Sequence, residues 1–331
     1  MPGPPKTRLG EFELIAKLFA PLAAKAEGAF NLTDDAAILR HSPGEELVVT
    51  VDALVEAVHF RRDDPADLIA AKALRVNLSD LAAKGALPLG YLMTLCLPSW
   101  AGDTWLARFA EGLAQDQTRY GVNLLGGDTT STPGRLVVSI SAFGTVPAGK
   151  MIRRAGAKPG DLVFVSGTIG DAGAGLSLAS GHEAELDEKD KTALIDRYRL
   201  PEPRLSFGRG LIGLASAALD VSDGLIADLD HIAEISGVRI LVEASRIPLS
   251  PAYRRLRGNG IDAITQAAGA GDDYEIAFTA PESARSAILA AASKAGLGVH
   301  EIGRVEPGAG IVLLDERGQA VPVRHAGYTH F

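Results

Sequence analysis

Asp35, Asp52, Asp128, Asp220 and Asp223 each lie where an apolar segment stops, in "FNLTDD", "LVVTVD", "NLLGGDTTST" and "ALDVSDGL". In open α/β folds, ligand sites collect at the carboxyl ends of strands, where loop tips converge while the sheet holds them rigid. Asp80 is placed differently. In "RVNLSDLAAKG" it follows Asn77 by three residues and precedes Lys84 by four, so the three share one polar face of an otherwise apolar helix. Each acid taken alone is ordinary as a helix cap, turn former or solvated face. Gathered together they would repel by several kcal/mol at an effective dielectric of about 20, so convergence requires cations. Hard oxygen ligands of this kind suit Mg²⁺, which binds through one or two carboxylates plus waters and substrate phosphates. Past two glycines that permit close backbone approach, Asp128 would hold a magnesium ion bridging to a nucleotide phosphate; the same glycines fit a plain tight turn equally well.

Other chemistries lack their signatures. There is no G-x-x-x-x-G-K-[ST], no H-R-D with D-F-G, no G-x-S-x-G and no H-E-x-x-H, and the seven histidines are scattered. "SGTIGDAGAG", residues 166–175, is a glycine-rich strand-to-helix turn. It fits either a phosphate cradle of backbone N–H groups or tight helix–strand packing. The single Cys96 excludes an intrachain disulfide, a multi-cysteine zinc site and an iron–sulfur cluster held by this chain alone; within "YLMTLCLP" it reads as a core residue.

The elements that must position these residues alternate. "GEFELIAKLFAPLAA" has helical apolar spacing, "EELVVTVDALVEAVHF" reads as valine-rich strand, and "DDPADLIAAKALRVNLSDLAAKGA" is the clearest helix, with Pro65 suiting its first turn and Gly85 its end. "WLARFAEGLAQDQTRYG" predicts a helix and "RLVVSISAFGTV" a strand. Around residues 147–160 loop chemistry replaces periodicity, and the alternation then resumes with strands at "DLVFVSG", "AALDVSDGL", "VRILVEA" and "YEIAFTA". The helices between and after them are "DAGAGLSLASG", "LIADLDHIAEISG" and "PESARSAILAAASKAG", with a hairpin around "DERGQ". The expectation is an α/β (α+β) chain of two domains, 1–148 and 149–331.

The bulk numbers agree with two cores, since 331 residues exceed the roughly 250 at which single cores stop growing. With 47% hydrophobic and only 5% aromatic residues, close-packed helices and strands are favoured over an aromatic-rich sandwich. A formal net charge of −8 supplies no footprint for nucleic acid. The opening "MPGPPKTRLGEF" has no apolar stretch before a cleavage site, and no apolar run approaches the ~20 residues that span a bilayer, so a cytoplasmic protein with no membrane partner is expected.

"GEFELI", "DDAAIL", "VDALVEAVHF", "KALRVNLSDLAAKGALPLGYLMTLCLP", "LLGGDTT", "RRAGAKPGDLVFVSGTIGDAGAGL", "ALDVSDGL", "GDDYEI" and "GYTHF" follow one another from residue 10 to the C-terminus. In this order and spacing the chain resembles the thiamine-monophosphate kinases, within a superfamily that includes aminoimidazole ribonucleotide synthetase. The resemblance implies a two-domain aminoimidazole ribonucleotide synthetase-like fold whose N-terminal domain binds ATP and Mg²⁺ and pairs in a homodimer, while the C-terminal domain completes the site. It implies transfer of the ATP γ-phosphoryl group to thiamine monophosphate, giving thiamine diphosphate and ADP. By that likeness Asp35, Thr50, Asp52, Asp80, Asp128, Asp220 and Asp223 are ligands of several Mg²⁺ ions. Gly127, Asp128, Arg154 and Ser222 would meet ATP, with Asp128 and Arg154 in the catalytic role, and His59, Asp272 and Tyr328 would lie near thiamine monophosphate. Two positions depart from the pattern: Val51 stands where a hydroxyl residue usually precedes Asp52, and "GDDYE" replaces the commoner "GEDYE", shortening Asp272 by a methylene.

The chemistry suits these residue types. A phosphate monoester has a second pKa near 6, so at neutral pH it is mostly a dianionic nucleophile that needs no general base. The alternatives are an aminoimidazole ribonucleotide synthetase-like ligase, disfavoured by "VEAVHF" and "GDDYEI", and a non-catalytic nucleotide or thiamine-phosphate binder. Selenophosphate synthetase and the hydrogenase-maturation protein would each need a cysteine that is missing here.

Overall fold

The computed structural model describes residues 9–323 and 327–328; the proline-rich start and "THF" of the closing motif lie outside the described residues. By internal contacts the chain divides into two compact units. One takes in the described residues up to Leu81 and from Leu87 to Gly149; the other takes in Ala82–Ala86 and the described residues from Lys150 onward.

In the first unit β1 (Glu45–Val55), β2 (Leu87–Leu97), β3 (Asn123–Ser131) and β4 (Val137–Pro147) form one sheet in the order β1-β4-β2-β3. β4 is antiparallel to both neighbours, and β2 is parallel to β3. Alternation decides the faces: Val48, Thr50, Asp52 and Leu54 point one way along β1, and Val49, Val51 and Ala53 the other. Val48 and Leu54 are buried, whereas Val49 and Val51 are 60% and 61% exposed. The buried face meets helices Ala66–Ala83 and Asp103–Tyr120, as the hydrogen bonds Thr50 to Asp80, Asp52 to Asn77 and Gln117 to Tyr91 require. The two helices approach closely because Gly112 has no side chain; a Cβ there would lie 2.3 Å from the Asp67 carbonyl oxygen. Arg75 and Asp116 join them through a buried two-pronged ion pair of 2.7 and 2.8 Å.

The helix expected over "GEFELIAKLFAPLAA" forms and runs without a gap, as Glu11–Leu14, a π turn Ile15–Phe19 and Ala20–Ala23. Pro21 has no N–H to give to residue 17, and the wider turn just before it absorbs that loss.

In the second unit β5 (Leu162–Ser166), β6 (Ala217–Asp220), β7 (Arg239–Glu243), β8 (Ile276–Ala280), β9 (Val299–Glu306) and β10 (Gly310–Leu314) run in the order β10-β7-β9-β5-β8-β6. Only β10 and β7 pair in parallel. Helices cover both faces, so its central strands read as unbroken apolar runs. Val163, Val165, Leu219 and Ala277 pack with the helices Asp171–Ala179 and Leu225–Ser236 on one side. Phe164, Ala218, Ile276 and Phe278 pack with Leu205–Gly210 and Arg285–Lys294 on the other. Among the described residues no helix is long and apolar enough to cross a membrane.

Candidate functional site

Asp52 and Asp128 were expected at strand ends, and the structure corrects this: both lie inside strands, and only Asp220 ends one. A polar residue in an apolar run is no terminator when it has polar company or an open face: Asp52 shares the helix-facing side with Thr50, opposite Asn77 and Asp80, and Asp128 emerges on the other face. Asp35 follows no strand either. It comes after the 3₁₀ turn Glu27–Leu32, where Phe30, Asn31 and Leu32 all have positive φ (49°, 55° and 58°). Three successive left-handed non-glycine residues cost roughly 1–2 kcal/mol each, strain of the kind that collects at functional loops.

On the helix-facing side of β1, Thr50 Oγ1 donates to Asp80 Oδ2 at 2.5 Å. Asn77 Oδ1 accepts the Asp52 backbone N–H at 3.1 Å while its own amide donates to Ala73 O at 3.0 Å. The face shared by Asn77 and Asp80 therefore serves to grip β1, holding two carboxylates and a hydroxyl on one side of the strand. This donor set is hard and oxygen-only, and with two carboxylates it fits Mg²⁺ completed by waters or phosphate. Among the described residues no three histidine, cysteine or carboxylate side chains form a metal cage by themselves.

Asp128 belongs to the other face. In register, Ala53, Ser139, Thr94 and Asp128 align across the sheet, as do Val51, Ser141, Leu92 and Gly126. Val51 thus projects away from Thr50 and Asp52 and towards the face of Asp128. Between them, Gly127 has φ 153°, and a Cβ there would sit 1.8 Å from the Met93 carbonyl oxygen, so no other residue fits. Asp34, Asp35, Gly127 and Asp128 line one cavity of about 830 Å³, whose apolar wall includes Phe12, Phe19 and Phe143.

His59 lies in the turn after β1. Its Nδ1 accepts the Val55 N–H at 3.0 Å, which places the proton of the neutral ring on Nε2. Lys72 Nζ holds the His59 carbonyl at 2.9 Å.

In the second unit, the turn after Asp220 gathers several candidates. The Asp272 N–H donates to Ser222 O at 2.8 Å, and the Tyr328 N–H to Asp223 O at 2.9 Å. Asp272 (φ 71°) and Tyr274 (φ 50°) are left-handed without being glycine, and alternate residues anchor them. Buried Asp273 accepts from Gly170 N–H (2.6 Å) and Ala172 N–H (3.2 Å); burial pushes its carboxyl up to about 8, against the pull of Arg197. Buried Glu275 takes Ser166 Oγ (2.6 Å), Arg197 (3.0 Å) and Arg204. Asp228 caps the Ser222–Gly224 turn, and its carboxyl is pushed up to about 7 by burial and then by the charge of Asp223. Arg154 is exposed in the irregular stretch after β4.

Residues 33–146 match AIR synthase related protein, N-terminal domain, and residues 158–316 match AIR synthase related protein, C-terminal domain. The thiamine-monophosphate kinase of Caulobacter vibrioides is 43% identical over 323 residues, 97% of this chain and 90% of that protein. The chain belongs to the thiamine-monophosphate kinase family. The crystal structure of thiamine-monophosphate kinase from Stenotrophomonas maltophilia K279a is similar with a TM-score of 0.84 at 39% identity, over 95% of this chain and 98% of that one. AaThiL complexed with AMPPCP and TMP is similar with a TM-score of 0.78 at 34% identity, over 98% and 97%.

For this member of the thiamine-monophosphate kinase family, the two open readings of "SGTIGDAGAG" are separated by its own carboxylate. The Gly170 and Ala172 N–H groups are taken by Asp273. A Cβ on Gly175 would lie 1.9 Å from Leu194 O in the helix Glu188–Arg199, so close packing of two helices, in place of the expected helix–strand packing, explains that glycine. Three residues of the site escaped sequence reasoning: Asp228, Asp273 and Glu275. Their only signal was position, Asp228 in the first turn of a helix and the other two alternating with Asp272 in "GDDYE".

Proposed function

We propose that this chain transfers the ATP γ-phosphoryl group to thiamine monophosphate, yielding thiamine diphosphate and ADP, with Mg²⁺. The observation that carries the reading is the turn Ser222–Asp223. One residue assigned to ATP and one assigned to a cation sit on it, and both Asp272 and Tyr328, assigned to the acceptor, are fastened to it by backbone hydrogen bonds. A 34% identical relative complexed with AMPPCP and TMP supports the same pair of ligands.

In the first unit Thr50, Asp52 and Asp80 would hold magnesium on one face of the sheet, and Asp35 and Asp128 would do so at the cavity on the other. In the second unit Asp220 and Asp223 are the corresponding acids, with Ser222 and Arg154 assigned to the nucleotide. Bound magnesium would offset the charge of the two polyanions and the acids together. The acceptor phosphate, mostly dianionic at neutral pH, attacks without a general base, so the residues act by alignment and charge neutralisation. His59, held through Nδ1 by the Val55 N–H, is assigned to the acceptor. The Gly170 and Ala172 N–H groups are taken by Asp273 and those of Ser222, Asp223 and Gly224 by Asp228, so at these two turns phosphate would meet side chains and cations.

We also propose a homodimer that covers the exposed sheet face. Leu47, Val49, Val51, Leu87 and Leu92 form an apolar strip there, at 41%, 60%, 61%, 45% and 37% exposure.

Incubation of the pure protein with ATP, Mg²⁺ and thiamine monophosphate, followed by chromatography, is expected to give thiamine diphosphate and ADP, and excess EDTA to abolish both. Failure to form thiamine diphosphate would remove the proposal, and binding without turnover would make the chain a binder.

A further inference from the structure

One carboxylate oxygen takes three consecutive backbone donors. Oδ2 of Asp228 accepts the N–H groups of Ser222 at 3.0 Å, Asp223 at 3.1 Å and Gly224 at 3.1 Å. Successive amides aimed at one point form a cradle for an anion, and here the anion belongs to the protein. Asp228 lies in the first turn of helix Leu225–Ser236 and is 2% exposed. An acid in that position also complements the helix dipole, but dipole complementation alone calls for no fixed contact. The turn it holds is a junction, because the carbonyls of Ser222 and Asp223 receive the N–H groups of Asp272 and Tyr328.

We propose that Asp228 is a positioning residue for the phosphoryl transfer. Its three acceptor contacts fix the turn from which Ser222 and Asp223 project and to which Asp272 and Tyr328 are fastened. This inference rests on the function proposed above. A corollary follows from the occupied amides: ligands meet the side chains of Ser222 and Asp223 and not their N–H groups. Because one turn serves residues assigned to both substrates, loosening it acts on both at once. Asp228 touches neither reacting atom and works only through the turn.

Three variants separate this role from a purely structural one: Asp228→Ala, Asp228→Asn and Asp228→Glu. Asp228→Ala is expected to raise KM for ATP and for thiamine monophosphate together, each by at least about tenfold. Asp228→Asn keeps an oxygen where Oδ2 stands and is expected to stay within about threefold of the parent. Asp228→Glu keeps the charge but moves the oxygens by a methylene, and is expected to resemble Asp228→Ala. A structural role would lower Tm and leave both KM values of the folded protein in place. A folded Asp228→Ala protein with both values within about twofold of the parent overturns the proposal. So does a Glu variant that outperforms Asn, because charge and not oxygen position would then be what matters. If Asp228→Ala does not fold, the Asn and Glu pair decides. Calorimetric affinity for ADP with Mg²⁺ is measured in parallel. A parent that makes no thiamine diphosphate defeats the proposed function alone, whereas ADP affinity unchanged across the variants defeats the role of Asp228.

Discussion

At the residue scale, the second unit places fully buried acids, Asp228 and Asp273, beside the half-buried Asp223 and Asp272. Asp273 is enclosed between two left-handed neighbours and spends its oxygens on the amides of Gly170 and Ala172. Burial raises its carboxyl to about 8, so the folded protein keeps this proton where the unfolded chain, with an ordinary aspartate value, has lost it. The group's contribution to stability is intact below about pH 4 and declines as pH rises towards its folded value. Asp273→Asn removes that dependence. Its Tm relative to the parent is expected to improve steadily from about pH 5 to about pH 8, and a difference that stays constant would refute the assignment. Asp128 is the opposite case, its side chain exposed at the cavity. Asp128→Asn is expected to keep the parent Tm and lose at least about 100-fold in kcat/KM, roughly 2.7 kcal/mol of transition-state stabilisation. A folded variant working at the parent rate would show that Asp128 holds nothing essential.

At the scale of elements, close backbone approach sets where glycine is obligatory. β3 pairs with β2 through a register shift between Tyr91 and Leu92, and one residue beyond the first shifted pair, Leu92 with Gly126, Gly127 lies against the Met93 carbonyl. A backbone oxygen cannot rotate away as a side chain can. Gly127→Ala is therefore expected to cost at least about 2 kcal/mol, visible as a lower midpoint in urea with m unchanged. A variant as stable as the parent would mean that the strand pair has slack there. The helix Ala66–Ala83 shows how far an element is readable from sequence. Its Asn77 and Asp80 fall on one face by spacing alone, and that face meets β1. The strand-end reading of Asp52 and Asp128 failed because a polar residue inside an extended run looks like a terminator until the neighbouring strands are known.

At the scale of the molecule, the first unit leaves the apolar strip around Val49 and Val51 exposed, on the sheet face opposite the helices Ala66–Ala83 and Asp103–Tyr120. Val51, where the family resemblance expected a hydroxyl, shares the face of that strip and not that of Asp52. A lysine there would be forced into the apolar interface of the proposed dimer. Val51→Lys is expected to shift the protein from dimer to monomer in size-exclusion chromatography with light scattering. A parent that is already monomeric, or a variant that stays dimeric, would dismiss this face as the contact.

The sequence by itself marked the elements with a clear apolar period or turn chemistry, which act over a few residues, and its ordered motifs were enough to point to the family; β2, β9 and the helices Glu188–Arg199, Pro251–Arg257 and Ile261–Ala268 were not read from it. It also marked Asp35, Asp52, Asp80, Asp128, Asp220 and Asp223, whereas Asp272 came only with the family likeness. Only the tertiary structure decided which of them are neighbours. Asp273 reaches Gly170 across 103 positions of the chain, and Thr50 reaches Asp80 across 30. It decided as well that Asp52 and Asp128 face opposite ways, since the face on which a side chain emerges depends on strand register, which pairing partners distant in sequence impose.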